Sequence, residues 1–276
     1  MKCKRMRMPS RKDRVAAQYN NSQAAADYAR ANEGSRPEGR FFRSRLQLVE
    51  NILAPCPGGT LLDAGCGPGI MVRTLLESRP DDFRITVLDQ SFAMVEYCVA
   101  KVHDIGEIYP TVGQLEAMPF ADATFDVTVV MGALEYTNVR LAILEIYRVT
   151  RPEGLIIVTM LNPLSPYRLI EWLLLGPVTR LLRAMEKWRE ISTERRHGAR
   201  LSGIHAYPVF VLRRLMTQTG LQPVDIVYFD VTPTIPPFDR LPRMRLRAER
   251  TPHERTVTRG WRRWMGTAYL IAARRS

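Results

Sequence analysis

The sequence predicts an α/β fold, with one mainly parallel β-sheet carrying helices on both faces. Two observations lead there. From residue 60 onward, short apolar runs alternate with longer amphipathic stretches, the order that successive βαβ units leave in a chain. The first apolar run, residues 60–64, also passes straight into Gly65-Cys66-Gly67-Pro68-Gly69, a glycine turn at a strand-to-helix junction.

Taken in order, residues 1–13 read as a basic, disordered tail and residues 14–276 as one domain. Residues 14–31 are alanine-rich and predict one or two N-terminal helices. Pro37 and Gly39 are expected to interrupt the chain. Phe41, Leu46, Leu48, Val49, Ile52 and Leu53 then recur at roughly helical spacing. After Pro57-Gly58-Gly59, strands are expected at 60–64, 84–88, 109–113, 125–131 and 154–160. Helices are expected at 68–78, 91–102 and 138–150, with Pro68 in a first helical turn. A helix at 207–219 and strands at 222–230 and 266–273 complete the pattern.

Residues 161–206 form a helical insert after the fifth strand, and residues 232–262 a Pro/Arg-rich extension. In the insert, Tyr167, Ile170, Leu174, Val178, Leu181, Leu182, Met185 and Trp188 make an apolar stripe. Arg168, Arg180, Arg183, Lys187 and Arg189 mark the opposite or flanking face. A lid on the body, an amphipathic helix for an anionic membrane and a dimer face all fit that pattern.

Apolar residues make up 46% of the 276-residue chain and charged residues 25%, as in a globular protein. The longest nearly apolar stretch, 169–178, is interrupted by Glu171 and is too short to span a bilayer. The basic N-terminus has no apolar segment of the secretory type. Cys3, Cys56, Cys66 and Cys98 show neither a CxxC pair nor a histidine at zinc-ligand spacing. Reduced thiols in a cytoplasm, and no metal site, are therefore expected.

The net charge of +12 is uneven. Basic residues outnumber acidic ones by seven to one over 1–14, seven to three over 176–200 and eleven to three over 239–276, so the remaining body is acidic. An anionic partner, membrane or nucleic acid, is one reading of this fringe. Coding bias is the other, since 35 of the 40 basic residues are arginine.

The glycine turn narrows the chemistry. A dinucleotide fingerprint would carry Gly or Ala at position 70, where this chain has Ile70. Asp63 sets a carboxylate beside the turn, which suits a sulfonium-bearing amino acid better than a pyrophosphate. Asp89 ends the second strand, where it can accept hydrogen bonds from ribose hydroxyls.

On these residues the chain resembles the class I S-adenosylmethionine (SAM)-dependent methyltransferases over about residues 40–160, and more weakly to 230. Its core is similar to the ubiquinone and menaquinone biosynthesis members. The resemblance implies a Rossmann-like, seven-stranded sheet with SAM as cofactor. Asp63, Gly65, Cys66, Gly67 and Gly69 would hold its methionine end, with Cys66 as a small packed residue. Asp89 would bind the ribose, and Gln90, Ser91 and Met94 would flank the adenosine. Gln114 stands where an Asp is usual at the adenine, next to Leu115; Met131 would complete the cofactor-binding set and opens the acceptor side. Segments 125–127 and 148–154 match the family's fourth strand and its following helix and turn, with Glu153 where Gly is common.

Methyl transfer from a sulfonium is an in-line displacement in which positioning supplies on the order of 7–11 kcal/mol. A base helps when the acceptor is a hydroxyl. His205 and Tyr136 are the catalytic candidates, the first because an imidazole takes up a proton near neutral pH. Tyr19 or Tyr28 could cap the pocket. The Asn/Asp-Pro-Pro-Tyr-like motif of amino-methylating enzymes is missing after the fourth strand, and residues 162–167 (NPLSPY) read as a loop and helix entry.

The expected function is methylation, preferably on oxygen, of a small lipophilic acceptor such as a quinone, polyketide or lipid. Peripheral contact with an anionic membrane is a further expectation. The alternatives are an RNA or DNA methyltransferase using the basic fringe, and a non-catalytic SAM-binding protein. Trp261-Arg262-Arg263-Trp264 is the one aromatic–basic run that fits nucleic acid.

Overall fold

The computed structural model describes residues 21–33, 37–188, 204–231 and 257–276. The expected tail, Tyr19, the end of the insert and most of the Pro/Arg-rich extension lie outside these residues. Seven strands form one sheet: β1 (Gly59–Ala64), β2 (Phe83–Asp89), β3 (Ile108–Val112), β4 (Phe125–Met131), β5 (Thr150–Leu161), β6 (Leu221–Val231) and β7 (Gly266–Arg275). Their order is β3-β2-β1-β4-β5-β7-β6. The first five run parallel, and β7 runs antiparallel to both β5 and β6. The strand order reverses between β1 and β4, and in such sheets the crevice beyond the carboxyl ends of the strands at that point takes the ligand.

The helices are α1 (Ser22–Glu33), α2 (Pro37–Leu53), α3 (Ile70–Ser78), α4 (Phe92–Val102), α5 (Val139–Val149), α6 (Pro166–Ile170), α7 (Gly176–Trp188) and α8 (Val209–Thr219). A sheet covered on both faces buries consecutive strand residues, which explains the unbroken buried runs at 61–64 in β1 and 127–130 in β4. Leu61, Val127, Val129 and Ile157 share one core layer with α2, α3 and α4. Their neighbours Leu62, Val130, Ile156 and Val158 share the other with α5 and α8.

Several boundaries differ from expectation. Pro37 does not break the chain; it starts α2, at a position where its missing N–H is not needed. Pro68 precedes its helix, whose N-cap is the left-handed Gly69 (φ 74°), and α3 begins at Ile70. α5 passes directly into β5 at Thr150, with Glu153 in the left-handed region (φ 62°). That conformation is why a glycine is common there. Side-chain caps secure the starts of α4, α5 and α6: Ser91 accepts from the Met94 N–H, Asn138 from Leu141 and Ser165 from Arg168.

Residues 162–167 form a turn and a helix entry, as the sequence suggests. The buried Asn162 donates from Nδ2 to the Gly266 carbonyl (3.0 Å) and accepts from the Leu164 N–H (3.2 Å). The chain then runs through α6 and a π-helical turn, Glu171–Leu175, into α7. Across the sheet, α2 is held to β6 by an ion pair between Arg40 and Asp230 (2.8 Å) whose side chains are 12% and 7% exposed. Asp230 also accepts from the Thr267 hydroxyl (2.5 Å). This clamp fixes the register of α2 and with it the position of Arg45.

Candidate active site

The glycine turn is sewn to the neighbouring strand before any ligand arrives. The N–H groups of Gly65 and Cys66 both donate to the Leu88 carbonyl (2.6 and 3.0 Å). Asp89 then draws the turn closed, accepting from the Gly67 N–H (3.0 Å) and the Ser91 N–H (2.9 Å). At Gly65 a Cβ would lie 2.3 Å from the Ala133 Cβ, and the residue sits at φ 88°, so only glycine fits. Gly69 does a different job: a Cβ there would strike the Cys98 Sγ at 2.5 Å, so this glycine lets α3 pack against α4.

Beyond the turn opens a cleft at the carboxyl ends of β1, β2 and β4. Of the residues read from the sequence, Gly65, Gly67, Asp89, Gln90, Met94, Leu115, Met131 and Tyr136 line it. Ser91 and Tyr28, the latter from α1, line it as well. Asp63 lies beneath it, fully buried. Cys66 is buried behind the turn, and its hydrogen bond with the Cys98 thiol, then burial, holds its pKa well above the ordinary thiol range. It is a packed residue and not a nucleophile.

Gln114 is exposed outside the lining, and the adjacent Leu115 and Glu116 face the cleft instead. His205 is also exposed and outside the lining; its backbone N–H donates to the Glu135 carbonyl (2.8 Å). It is therefore tied to the cleft wall through the main chain, not through its ring.

The charged groups under the cleft were only partly foreseen. Asp63 is 1% exposed and neither carboxylate oxygen has a hydrogen-bond partner among the described residues. Burial, then the nearby Asp89, pushes its pKa up to about 7, with Arg45 pulling the other way. Arg45 is 6% exposed. Its guanidinium stacks over Phe42 and Phe41 (4.7 and 5.3 Å to the ring centres) and presses Nη1 against Gly132 in the cleft wall.

Glu135, also buried, accepts from the Leu161 N–H (3.1 Å). Burial raises its pKa, while backbone hydrogen bonding and the charges of Arg45 and Arg168 lower it. Arg45 thus acts on two buried carboxylates at once. Its signal in the sequence is a cation on the apolar stripe of α2, between Phe42 and Val49, where a charge needs a reason to be buried.

Residues 62–158 match the family model described as a methyltransferase domain. Over these residues the chain is similar to methyltransferase domains, and its sheet has the class I, Rossmann-like methyltransferase fold. Among its relatives is a malonyl-[acyl-carrier protein] O-methyltransferase of Erwinia billingiae, 35% identical over 151 residues, 54% of this chain and 58% of that one. Another is a demethylmenaquinone methyltransferase of Renibacterium salmoninarum, 29% identical over 170 residues, 60% of this chain and 67% of that one. The matches span 29–58% of the length of the first five curated relatives. In fold, the chain is similar to a SAM-dependent methyltransferase from Thermotoga maritima (TM-score 0.61, 17% identity), covering 92% of this chain and 98% of that one.

SAM is the cofactor that the methyltransferase match implies, and the residues present fit it. A buried carboxylate without partners and a buried arginine suit the ammonium and carboxylate of an amino acid. Asp89 suits vicinal hydroxyls. The apolar Met94 and Leu115 suit a purine face.

Proposed function

We propose that the protein transfers a methyl group from SAM to a small lipophilic acceptor, preferentially to oxygen. The observation that carries this reading is the cleft itself. Its methionine end is marked by partnerless Asp63, and its remaining wall is formed by Met131, Ala133, Tyr136, Thr137 and Tyr28, apolar surfaces with hydroxyl groups set among them. Such a wall suits an acceptor with a large apolar body and few polar atoms. The demethylmenaquinone methyltransferase relative supports the same class.

SAM supplies, when bound, an activated methyl group on a positively charged sulfur. The protein's part is to hold and to orient. Asp63 would neutralise an ammonium, and Arg45 would pair with a carboxylate. Asp89, prealigned by the Gly67 and Ser91 N–H groups, would grip the ribose. Gly65 lets the turn close against Ala133, and Gly132 lets the Arg45 guanidinium lie against the cleft wall. Tyr136 is the residue we assign to orient an acceptor hydroxyl and pass on its proton; His205 adjoins the same segment.

The test is transfer of radiolabelled methyl from SAM into a cell extract, partitioned into organic, nucleic-acid and protein fractions, with Asp89→Ala as control. Asp89-dependent label in the organic phase is the expected result. Label confined to nucleic acid would overturn the acceptor class and favour the basic fringe as a nucleic-acid surface.

A further inference from the structure

The helices after β5 present an apolar face that nothing among the described residues covers. Along α7, Val178, Leu181, Met185 and Trp188 are 52%, 65%, 48% and 86% exposed. Their spacing places all four within about a quarter of the helix circumference. The stripe continues N-terminally through Leu164, Leu169, Trp172 and Leu173, each 40–68% exposed. α6 packs against the short 3₁₀ turn Trp261–Met265, which adds exposed Trp264 and the exposed cations Arg262 and Arg263 to its border. A protein surface rarely leaves so many large apolar side chains in water without a partner.

We infer that this face binds the surface of an anionic lipid bilayer. Tryptophan and leucine on one side of a helix with arginine at the margin is the composition that rests at the headgroup–acyl boundary. Arg180, Arg262 and Arg263 are exposed, and the segments around them are strongly basic, so the attraction has the right sign for an anionic leaflet. No helix of the described residues is long and apolar enough to cross a membrane, so contact is at the surface. α6 springs from the Asn162 turn at the carboxyl end of β5. The Leu161 N–H there is bound by Glu135, next to Tyr136 in the cleft wall. The lipid-binding face therefore adjoins the side from which an acceptor would enter.

The experiment is flotation of the full chain with large unilamellar vesicles, either phosphatidylcholine alone or with about a third phosphatidylglycerol. It needs neither SAM nor acceptor, so its failure is separate from failure of the methyltransferase reading. The expected result is flotation with the anionic vesicles, weakened by ~0.5 M salt. L181E/M185E should weaken binding by on the order of tenfold or more. R262E/R263E should weaken it too and remove most of the salt dependence.

Both pairs are exposed, and circular dichroism together with a cooperative thermal transition would establish that each variant is folded. Wild-type protein that stays with the soluble fraction would overturn the proposal. So would L181E/M185E floating as well as wild type, or a dimer in solution that this variant dissociates.

Discussion

Asp63 couples the charge state of the cleft to pH. Its folded-state pKa of about 7 lies above the ordinary 3.8, so the native chain holds an extra proton between about pH 4 and about 7. The stability this group contributes is complete below that window and is lost as pH rises through about 7. Asp63→Asn should therefore flatten that part of the dependence of Tm on pH. The ionised carboxylate is also the form that pairs with an ammonium, so SAM affinity should rise roughly tenfold from about pH 6 to about pH 8. Calorimetry on the wild type and Asp63→Asn would check this; an equal rise in both would remove Asp63 from the site. Tyr136→Phe should lower kcat by about 10²-fold while leaving SAM affinity unchanged, measured by steady-state kinetics on the isolated acceptor. At Glu153 (φ 62°) glycine relieves a left-handed strain, and Glu153→Gly should stabilise by about 0.5–1 kcal/mol, read as a higher urea midpoint at constant m.

At the scale of elements, the clamp between α2 and β6 has the largest leverage on the site. Asp230→Ala leaves Arg40 buried and unpaired, and should cost about 3 kcal/mol in denaturant unfolding. Because Arg45 rides on the same helix, SAM binding should weaken as well; unchanged affinity would separate the clamp from the site. β7 and the second half of β5 were legible because both their faces are buried, so each reads as a continuous apolar run; β3, largely exposed, was legible from its place in the alternation of strands and helices. The start of β5 was hidden because Arg151-Pro152-Glu153-Gly154 has the composition of a turn, whereas in the fold it is an irregular stretch of strand beside β4. Asp63, Gly65 and Asp89 were legible from a local motif. Glu135 was not, since its burial depends on Leu161, Arg45 and Arg168, contacts that no local pattern encodes. Arg45 left a trace, as a charge on an apolar stripe, and Gln114 shows the converse: a motif position that the fold turns outward.

For the whole molecule, α1, the glycine turn and the α2 arginine converge on one cleft from separate parts of the chain. A ligand bound there stabilises the native state by mass action. At about a hundredfold excess over Kd, SAM should contribute ~2.7 kcal/mol, a Tm rise of roughly 5–10 °C for a chain of this size; no rise would contradict the site. The uneven charge and the exposed face of α7 belong to this scale too, since neither is explained by the core. The position of β7 has a consequence for synthesis. β7 is made after both β5 and β6, yet it pairs between them. A growing chain that has emerged through β6 therefore carries an unpaired β5 edge, with Ile156, Val158 and Met160 still lacking the cover of β7, and a β6 that has no neighbour to join. Until residues 266–275 have emerged, the nascent chain must be kept from pairing that edge with another copy, so its need for chaperones peaks between the synthesis of β6 and that of β7.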